Sequence, residues 1–213
     1  PDMFMMLYDW CRRFGCDRPL YGLMHPQMWK VLEGPGAMAA SRIGAVMAHP
    51  KVALAALHRG ASVTVYPGGS RDVFRPHCLR DKIYLNGNRA FIKLALRTEV
   101  PIVPMVSWGA HDTLIVLADI YPFLKQLHTW GMGWPGGLDP TVFPIYLGLP
   151  WGLAIGPLPN FPLPVPLHTR VCPPIIFDRY GREAAGDRAY VDACYQQVHT
   201  AMQRELDALI AQA

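Results

Sequence analysis

The chain has 213 residues, which is enough for one sizeable hydrophobic core but short for two independent domains. Hydrophobic residues make up 51% of it and charged residues 17%, and this composition excludes an intrinsically disordered protein. The formal net charge of +4 is small and scattered, whereas nucleic-acid binding needs a concentrated basic stripe, so no nucleic-acid partner is expected. A weak positive charge suits an anionic membrane surface or an anionic substrate equally well.

The first half of the chain predicts two helices and a strand. The spacing of apolar residues predicts a helix over residues 3–14. A second helix begins at His49-Pro50, with proline in its first turn, and ends at Gly60. A β-branched strand follows over residues 62–66 and runs into a glycine-rich turn. The order helix, strand, glycine-rich turn is typical of an α/β sheet.

The second half predicts more of the same kinds of element. Residues 87–98 have the pattern of a helix, and residues 100–108 that of a buried strand with irregular ends, because its prolines cannot donate to a ladder. A further strand is predicted over residues 113–119, and a short helix over residues 120–130. Asp187 caps a long amphipathic helix that ends the chain.

The stretch from residue 140 to residue 167 contains no Asp, Glu, Lys or Arg, and its length raises the question of a membrane span. Eight prolines interrupt it, so it cannot form a transmembrane helix. Its aromatic residues favour a position at a membrane surface, although they could instead fill the protein core. With the residues just before the stretch, these aromatics are Trp130, Trp134, Phe143, Tyr146, Trp151 and Phe161.

Cysteine usage favours a reducing compartment. The five cysteines are an odd number without a pairing framework, and no signal-peptide pattern begins the chain, so the cytoplasmic side is expected. Cys11 and Cys16 could form half of a metal site, but no second pair of ligands follows at suitable spacing. We predict no metal.

Residues 63–76, VTVYPGGSRDVFRP, contain the main candidate for function. Two glycines after a strand allow positive φ and close approach of a ligand, and exposed N–H groups beside Arg71 would form an anion site. A nucleotide phosphate loop is an alternative, but the lysine and the spacing of that motif are absent. A second alternative is a plain turn in which Arg71 pairs with Asp72 in solvent.

A serine hydrolase is a further alternative, using Ser107 with His111 and Asp112, or Ser70 with a distant histidine. Neither serine lies in a G-x-S-x-G elbow, and adjacent His-Asp side chains rarely face one another productively. None of the eight histidines is singled out as a base, because most of them lie beside proline, at a helix end or on a helical face.

Several blocks of the chain resemble the glycerolipid acyltransferase superfamily. The loop resembles its third block, [FV]-P-E-G-T-R, and more closely the monoacylglycerol and diacylglycerol acyltransferase-like branch, which carries Y-P-G-G and then an acidic residue. Residues 36–72 resemble the second block and the helix leading to the loop. The segment NRAFIKLALRTEVPIVPMVSWGAHD is similar to G-F-x-K-L-A followed by P-I-V-P, and PLPVPLHTRVCPPI resembles the last strand before the terminal helix. The resemblance covers nearly the whole chain.

The chain departs from the family pattern at two places. Gly68 stands where E-G-T-R has its acidic residue, Ser70 and Arg71 occupy the T-R positions, and Asp72 is the later acidic residue, which leaves open whether the acceptor carries a phosphate. The first block, H-x4-D, is incomplete, since PDMFMMLY resembles only the residues after the histidine of that block. We therefore expect Asp2 to be its aspartate, the histidine to precede Pro1, and residues 1–213 alone to lack the base.

The resemblance implies an α/β fold in which a mixed β-sheet is flanked by helices, as one acyltransferase domain over residues 1–213, truncated at its amino end. It implies O-acyl transfer from acyl-CoA, or another acyl thioester, to the hydroxyl of a glycerolipid or other lipid alcohol. A His-Asp general base would act without a covalent enzyme intermediate and without a cofactor.

The resemblance also implies a site and a location. The expected catalytic residue is Asp2, and the protein would be membrane-associated on the cytoplasmic side. Two other functions stay open, namely a non-catalytic lipid-binding module and a thioesterase or hydrolase using the same pocket. The expected substrate-binding residues are Arg42, Tyr66, Pro67, Gly68, Gly69, Ser70, Arg71 and Asp72.

Overall fold

The computed structural model describes residues 2–15, 17–26, 29, 34–134, 139–156, 158 and 160–212, and for residues 2–4 it describes the backbone alone. The chain begins with helix α1, Asp2–Phe14. This helix confirms the element predicted from apolar spacing over residues 3–14. Its Leu7 side chain is buried, as that spacing requires of one helix face.

A parallel sheet follows, built from β1 (Leu20–Met24), β2 (Ala45–Met47) and β3 (Ser62–Thr64) in the order β2-β1-β3. Parallel neighbours need crossover connections, and helices α2 (Pro35–Arg42) and α3 (Pro50–His58) supply them. The first half therefore has the α/β organisation that the order of elements predicts.

Helix α3 has the ends that its sequence predicts. The His49 side chain accepts a hydrogen bond from the Lys51 backbone N–H at 3.2 Å, and Pro50 occupies the first turn, where its missing N–H costs nothing. Gly60 then turns the chain with a φ of 75°. Strand β3 follows and ends at Thr64, two residues before Tyr66, because Pro67 cannot donate to a ladder.

The largest buried core lies in the second half. Helix α5 (Ala90–Thr98) packs against α7 (Gly181–Gly186) and the long terminal helix α8 (Arg188–Ile210). Ile92 and Val198, at most 1% exposed, belong to this core. The Asp187 carboxylate caps α8 by accepting from the Tyr190 N–H at 3.1 Å, as predicted.

The remaining strands form two antiparallel sheets. Strand β4 (Met105–Trp108) pairs with β8 (His168–Val171), and β6 (Pro144–Gly148) lies between β5 (Ile115–Asp119) and β7 (Gly152–Ile155). The β4 strand starts only after the second of its prolines, and Ile102 before it makes one isolated bridge to Ile175. Helix α6 (Tyr121–Thr129) follows β5.

The combination of helices with parallel and antiparallel strands confirms the predicted mixed α/β class. The strands of the described residues lie in three small sheets, rather than in one mixed sheet, because proline-rich and irregular segments separate them. The particular acyltransferase arrangement stays a prediction.

In the part of the chain that the structure describes, no helix has the length and apolar character needed to cross a bilayer. The proline-rich stretch after residue 140 contains β6, β7 and irregular backbone, so the prediction that it is not a transmembrane helix is confirmed.

Candidate functional site

The glycine loop joins β3 to a short helix, α4 (Gly69–Val73). The Gly69 N–H donates to the Tyr66 carbonyl at 3.1 Å, which closes a turn around Pro67 and Gly68. Gly69 has a φ of 59°, in the left-handed region, so the predicted need for positive φ is met at this position. Tyr66 itself is exposed beside the turn.

Gly68 is required for a different reason. It is buried, and a Cβ atom there would lie 2.4 Å from the Asp72 Cβ and 2.6 Å from the Tyr84 carbonyl oxygen. The glycine pair was predicted to allow close approach of a ligand. At Gly68 the closely approaching atoms belong to the protein itself. The segment 82–85 and the first turn of α4 are held together at this point.

The polar residues of the loop have separate surroundings. The hydroxyls of Ser70 and Thr141 lie 3.3 Å apart and share a hydrogen bond. Arg71 is exposed and has neither a hydrogen bond nor an ion pair within the described residues. Asp72 pairs instead with Arg75, at 3.3 Å from Nε to Oδ1. The plain-turn alternative, in which Arg71 and Asp72 pair in solvent, does not describe this loop.

Arg71 borders a pocket of about 500 Å³. One part of its lining is cationic, with exposed Lys82 and Lys125 in addition to Arg71. The other part is apolar, and it includes the residues Phe74, Pro76, Leu79, Ile83, Tyr84, Tyr121 and Pro122. Such a lining suits an amphiphilic anion, whose charge faces the cations and whose hydrocarbon contacts the apolar side chains.

Asp119 supplies the carboxylate of the pocket lining, and its Oδ1 oxygen already accepts hydrogen bonds from the backbone. Oδ1 accepts from the Tyr121 N–H at 2.9 Å and from the Phe143 N–H at 2.8 Å. These bonds hold the end of β5 to the start of α6 and to the segment before β6. Four cations, Arg75 among them, line the pocket together with this one carboxylate, so the net charge of the lining is positive.

An ionic cluster lies beside the pocket and includes Asp72, Arg75, His77, Arg80, His111 and Asp112. Arg75 is its centre, with a side chain only 10% exposed. The guanidinium donates to the His111 Nε2 at 3.0 and 3.2 Å and to the Arg80 carbonyl at 3.3 Å. Arg75 also lines the pocket, so the cluster fixes part of the pocket wall.

His111 is neutral because of these surroundings. A guanidinium can only donate, so the Nε2 that receives its bonds carries no proton. Burial, and secondarily the charge of Arg75, lower the pKa of His111 from 6.5 to about 4. The His111 imidazole therefore acts as the hydrogen-bond acceptor for Arg75 within the cluster.

His77 forms the second half of the cluster. Arg80 donates to its Nδ1 at 3.2 Å, so the proton resides on Nε2, which donates to the Asp112 carboxylate at 2.5 Å. Both ring nitrogens are occupied by the protein. The sequence interpretation missed this cluster, although the spacings Asp72-x-x-Arg75 and His77-x-x-Arg80, with the pair His111-Asp112, are its signal.

In the described structure, Ser107, His111 and Asp112 of the hydrolase alternative do not form a hydrogen-bonded triad. The Ser107 and Thr169 hydroxyls share a 3.0 Å hydrogen bond across β4 and β8. His111 and Asp112 are bound to Arg75 and His77 instead. No hydrogen bond connects Ser107 to either of them within the described residues.

Two predicted site residues, Arg42 and Asp2, belong to other elements than the loop. Arg42 ends α2, which enters β2 at its amino end, whereas the loop leaves β3 at its carboxyl end. Both strands are parallel to β1, and Ala45 at the start of β2 and Thr64 at the end of β3 flank the same β1 residue, Gly22. The Asp2 backbone begins α1, and its side chain is outside the described part of the structure. Both roles stay predictions.

Across the described ranges, no group of three or more His, Cys, Asp or Glu side chains could hold a metal ion. Cys11 is exposed, and Cys16 lies outside the described residues.

Comparisons with protein-family models, with curated proteins and with solved structures found no match to this chain.

Proposed function

We propose that the protein transfers a fatty acyl group from an acyl thioester, acyl-CoA in the first instance, to the hydroxyl of a glycerolipid or another lipid alcohol. The observation that carries this proposal is the pocket beside the glycine loop, where Arg71, Lys82 and Lys125 face an apolar wall that includes Phe74 and Ile83. Acyl-CoA and phosphorylated glycerolipids are both amphiphilic anions, so either could use this combination of side chains.

The reaction would proceed by direct attack of the acceptor hydroxyl on the thioester carbonyl. The new ester C–O bond forms as the C–S bond breaks, and the hydroxyl proton passes to a base and then to the departing thiolate. The base in this proposal is the histidine expected before Pro1, oriented by Asp2. A positioned base of this kind contributes about 10²–10⁴-fold to the rate.

Arg71 is the loop residue proposed to contact the anion. The Gly69 N–H is already bonded to the Tyr66 carbonyl and closes the turn. The Arg71 guanidinium is exposed at the pocket, without a hydrogen-bond or ion-pair partner among the described residues. It can therefore bind a phosphate or a developing oxyanion in a bidentate manner.

The proposal requires no cofactor and places the protein at the cytoplasmic surface of a membrane, where its lipid acceptor resides. Supporting features are the cationic pocket lining, the formal charge of +4 and the absence of a cysteine pairing framework in the sequence.

The decisive experiment is product analysis by mass spectrometry. The protein, expressed from its natural reading frame with the upstream residues, is given mixed acyl-CoAs and monoacylglycerol, diacylglycerol, lysophosphatidic acid and long-chain alcohols. Acylation of one acceptor class supports the proposal. Release of free fatty acid without any acylated acceptor would assign a thioesterase, and binding without turnover would assign a lipid-binding module.

A further inference from the structure

The sheet formed by β5, β6 and β7 is apolar on both faces. Its inner face carries Val116, Tyr146 and Ala154, which are buried and pack with Phe74 and Leu114. We call the opposite side the outer face. Its residues form two cross-strand rows, Ile115–Leu147–Leu153 and Ala118–Ile145–Ile155.

The outer face is partly open to solvent in the described structure: Ile115, Ala118 and Ile145 are half-buried, and the other three residues are exposed. Leu147, Leu153 and Ile155 are 40%, 63% and 54% exposed. An antiparallel sheet with one solvated face normally alternates apolar and polar residues, and this one has no polar residue in either row of its outer face. A contiguous exposed apolar surface of this kind indicates an interaction site.

The segments beside β6 and β7 extend this exposed apolar surface. Leu149, Trp151, Leu158 and Phe161 are exposed, and residues 140–167 include no Asp, Glu, Lys or Arg. An interface between protein molecules is bordered by a polar, charged rim, which this segment does not supply. Exposed tryptophan and phenylalanine bordering an aliphatic surface match the interfacial zone of a lipid bilayer.

We propose that the outer face docks on a lipid bilayer, with its side chains entering the acyl boundary and its backbone remaining at headgroup depth, where polar groups stay hydrated. The sheet adjoins the pocket described above, whose lining has more cations than carboxylates and therefore suits anionic headgroups. Strand β5 ends at Asp119 in the pocket lining, and Lys125 of the following helix lines the same pocket. This docking deepens the proposed function, on which it rests, by naming the surface where a lipid acceptor would be met.

Vesicle flotation tests the proposal, using phosphatidylcholine alone and phosphatidylcholine mixed with phosphatidylglycerol. The double substitution Leu153→Ser/Ile155→Ser should reduce the bound fraction at least tenfold on both vesicles, because it removes two of the most exposed apolar side chains of the face. The matched control is Val171→Ser/Ile176→Ser, which changes two apolar residues outside this sheet that are at least as exposed, and it should float like the unmodified protein.

A second measurement keeps the test valid if the double variant unfolds. In the unmodified protein, brominated acyl chains should quench Trp151 fluorescence, identified by difference from Trp151→Phe. Absence of flotation, or equal loss of flotation in the control, overturns the proposal. A dimer in solution that Leu153→Ser/Ile155→Ser dissociates, without vesicle binding, would assign the face to a second copy of the chain and likewise overturn it.

Flotation needs no acyl-CoA, so the two proposals can fail separately. Vesicle binding by a protein that acylates no acceptor would overturn only the proposed function. Acyl transfer by a protein that binds no vesicle would overturn only the docking surface.

Discussion

Arg71 and Arg75 follow the same glycine pair, four positions apart, and the structure treats them in opposite ways. Arg75 is 10% exposed, forms an ion pair with Asp72 and donates a hydrogen bond to His111. Arg71 is exposed at the pocket and has no ion pair within the described ranges. Both line the same pocket, but of the two only Arg75 has a carboxylate partner among the described residues.

This difference in burial and pairing indicates a structural role for Arg75 and a binding role for Arg71. A buried cation is stable only when it is paired and hydrogen-bonded, so Arg75 is committed to holding α4 against the residues after β4. An exposed arginine gains little from the fold and keeps its fork of donors available. We therefore expect substitutions at Arg75 to change stability and substitutions at Arg71 to change function.

The largest effect should come from Arg75→Ala. This change leaves Asp72 without the ion pair of a buried guanidinium and should cost about 3 kcal/mol of unfolding free energy. Arg71→Ala is the matched control and should change it by less than about 0.5 kcal/mol. Urea denaturation followed by circular dichroism measures both values. Equal losses in the two variants would contradict the distinction between them.

The second prediction concerns the pH dependence of stability, which tests the contact between Arg75 and His111. His111 has a pKa of about 4 in the folded chain against 6.5 in the unfolded one. Between these values the unfolded state binds more protons, so stability falls as the pH drops from about 6.5 to about 4, by up to about 3 kcal/mol. His111→Gln keeps an acceptor for Arg75 and should remove this component. Denaturant midpoints of both proteins across that range test it, and parallel curves would refute the assignment.

The third prediction concerns the glycines that precede both arginines. Gly68→Ala places a Cβ within 2.6 Å of the Tyr84 carbonyl and should destabilise by about 2 kcal/mol through overpacking. Gly69→Ala meets no atom within 4 Å and suffers only its positive φ, at about 1 kcal/mol. Thermal unfolding ranks the two variants. A larger loss for Gly69→Ala would show that crowding does not determine the first position.

The smallest effect, in free energy, is predicted at Arg71 and depends on the proposed function. Arg71→Ala should reduce acyl transfer at least tenfold, which is about 1.4 kcal/mol of transition-state stabilisation. Arg71→Lys should recover little, because a lysine cannot reproduce bidentate binding. Steady-state kinetics on folded protein measure this, and unchanged kinetics in Arg71→Ala would make Arg71 a solvated surface residue.

Some features of this protein follow from local sequence. Helix α3 begins where His49 and Pro50 predict, and α8 begins at the Asp187 cap, because a helix end is determined by the few residues whose side chains and φ angles serve it. The turn at the glycine pair is local for the same reason. The position of the candidate loop, at the end of a strand, could therefore be predicted.

The tertiary structure alone decided which distant groups join the loop. The spacing Asp72-x-x-Arg75 offers a local ion pair, and Arg71 was the partner of Asp72 only in the plain-turn alternative. The fold adds His111 from beyond β4. The pocket cation Lys125 comes from α6, and the apolar outer face depends on the register of three strands. Contacts between distant residues, and the desolvation that sets the pKa of His111, arise only when separate segments pack, so no local pattern contains them.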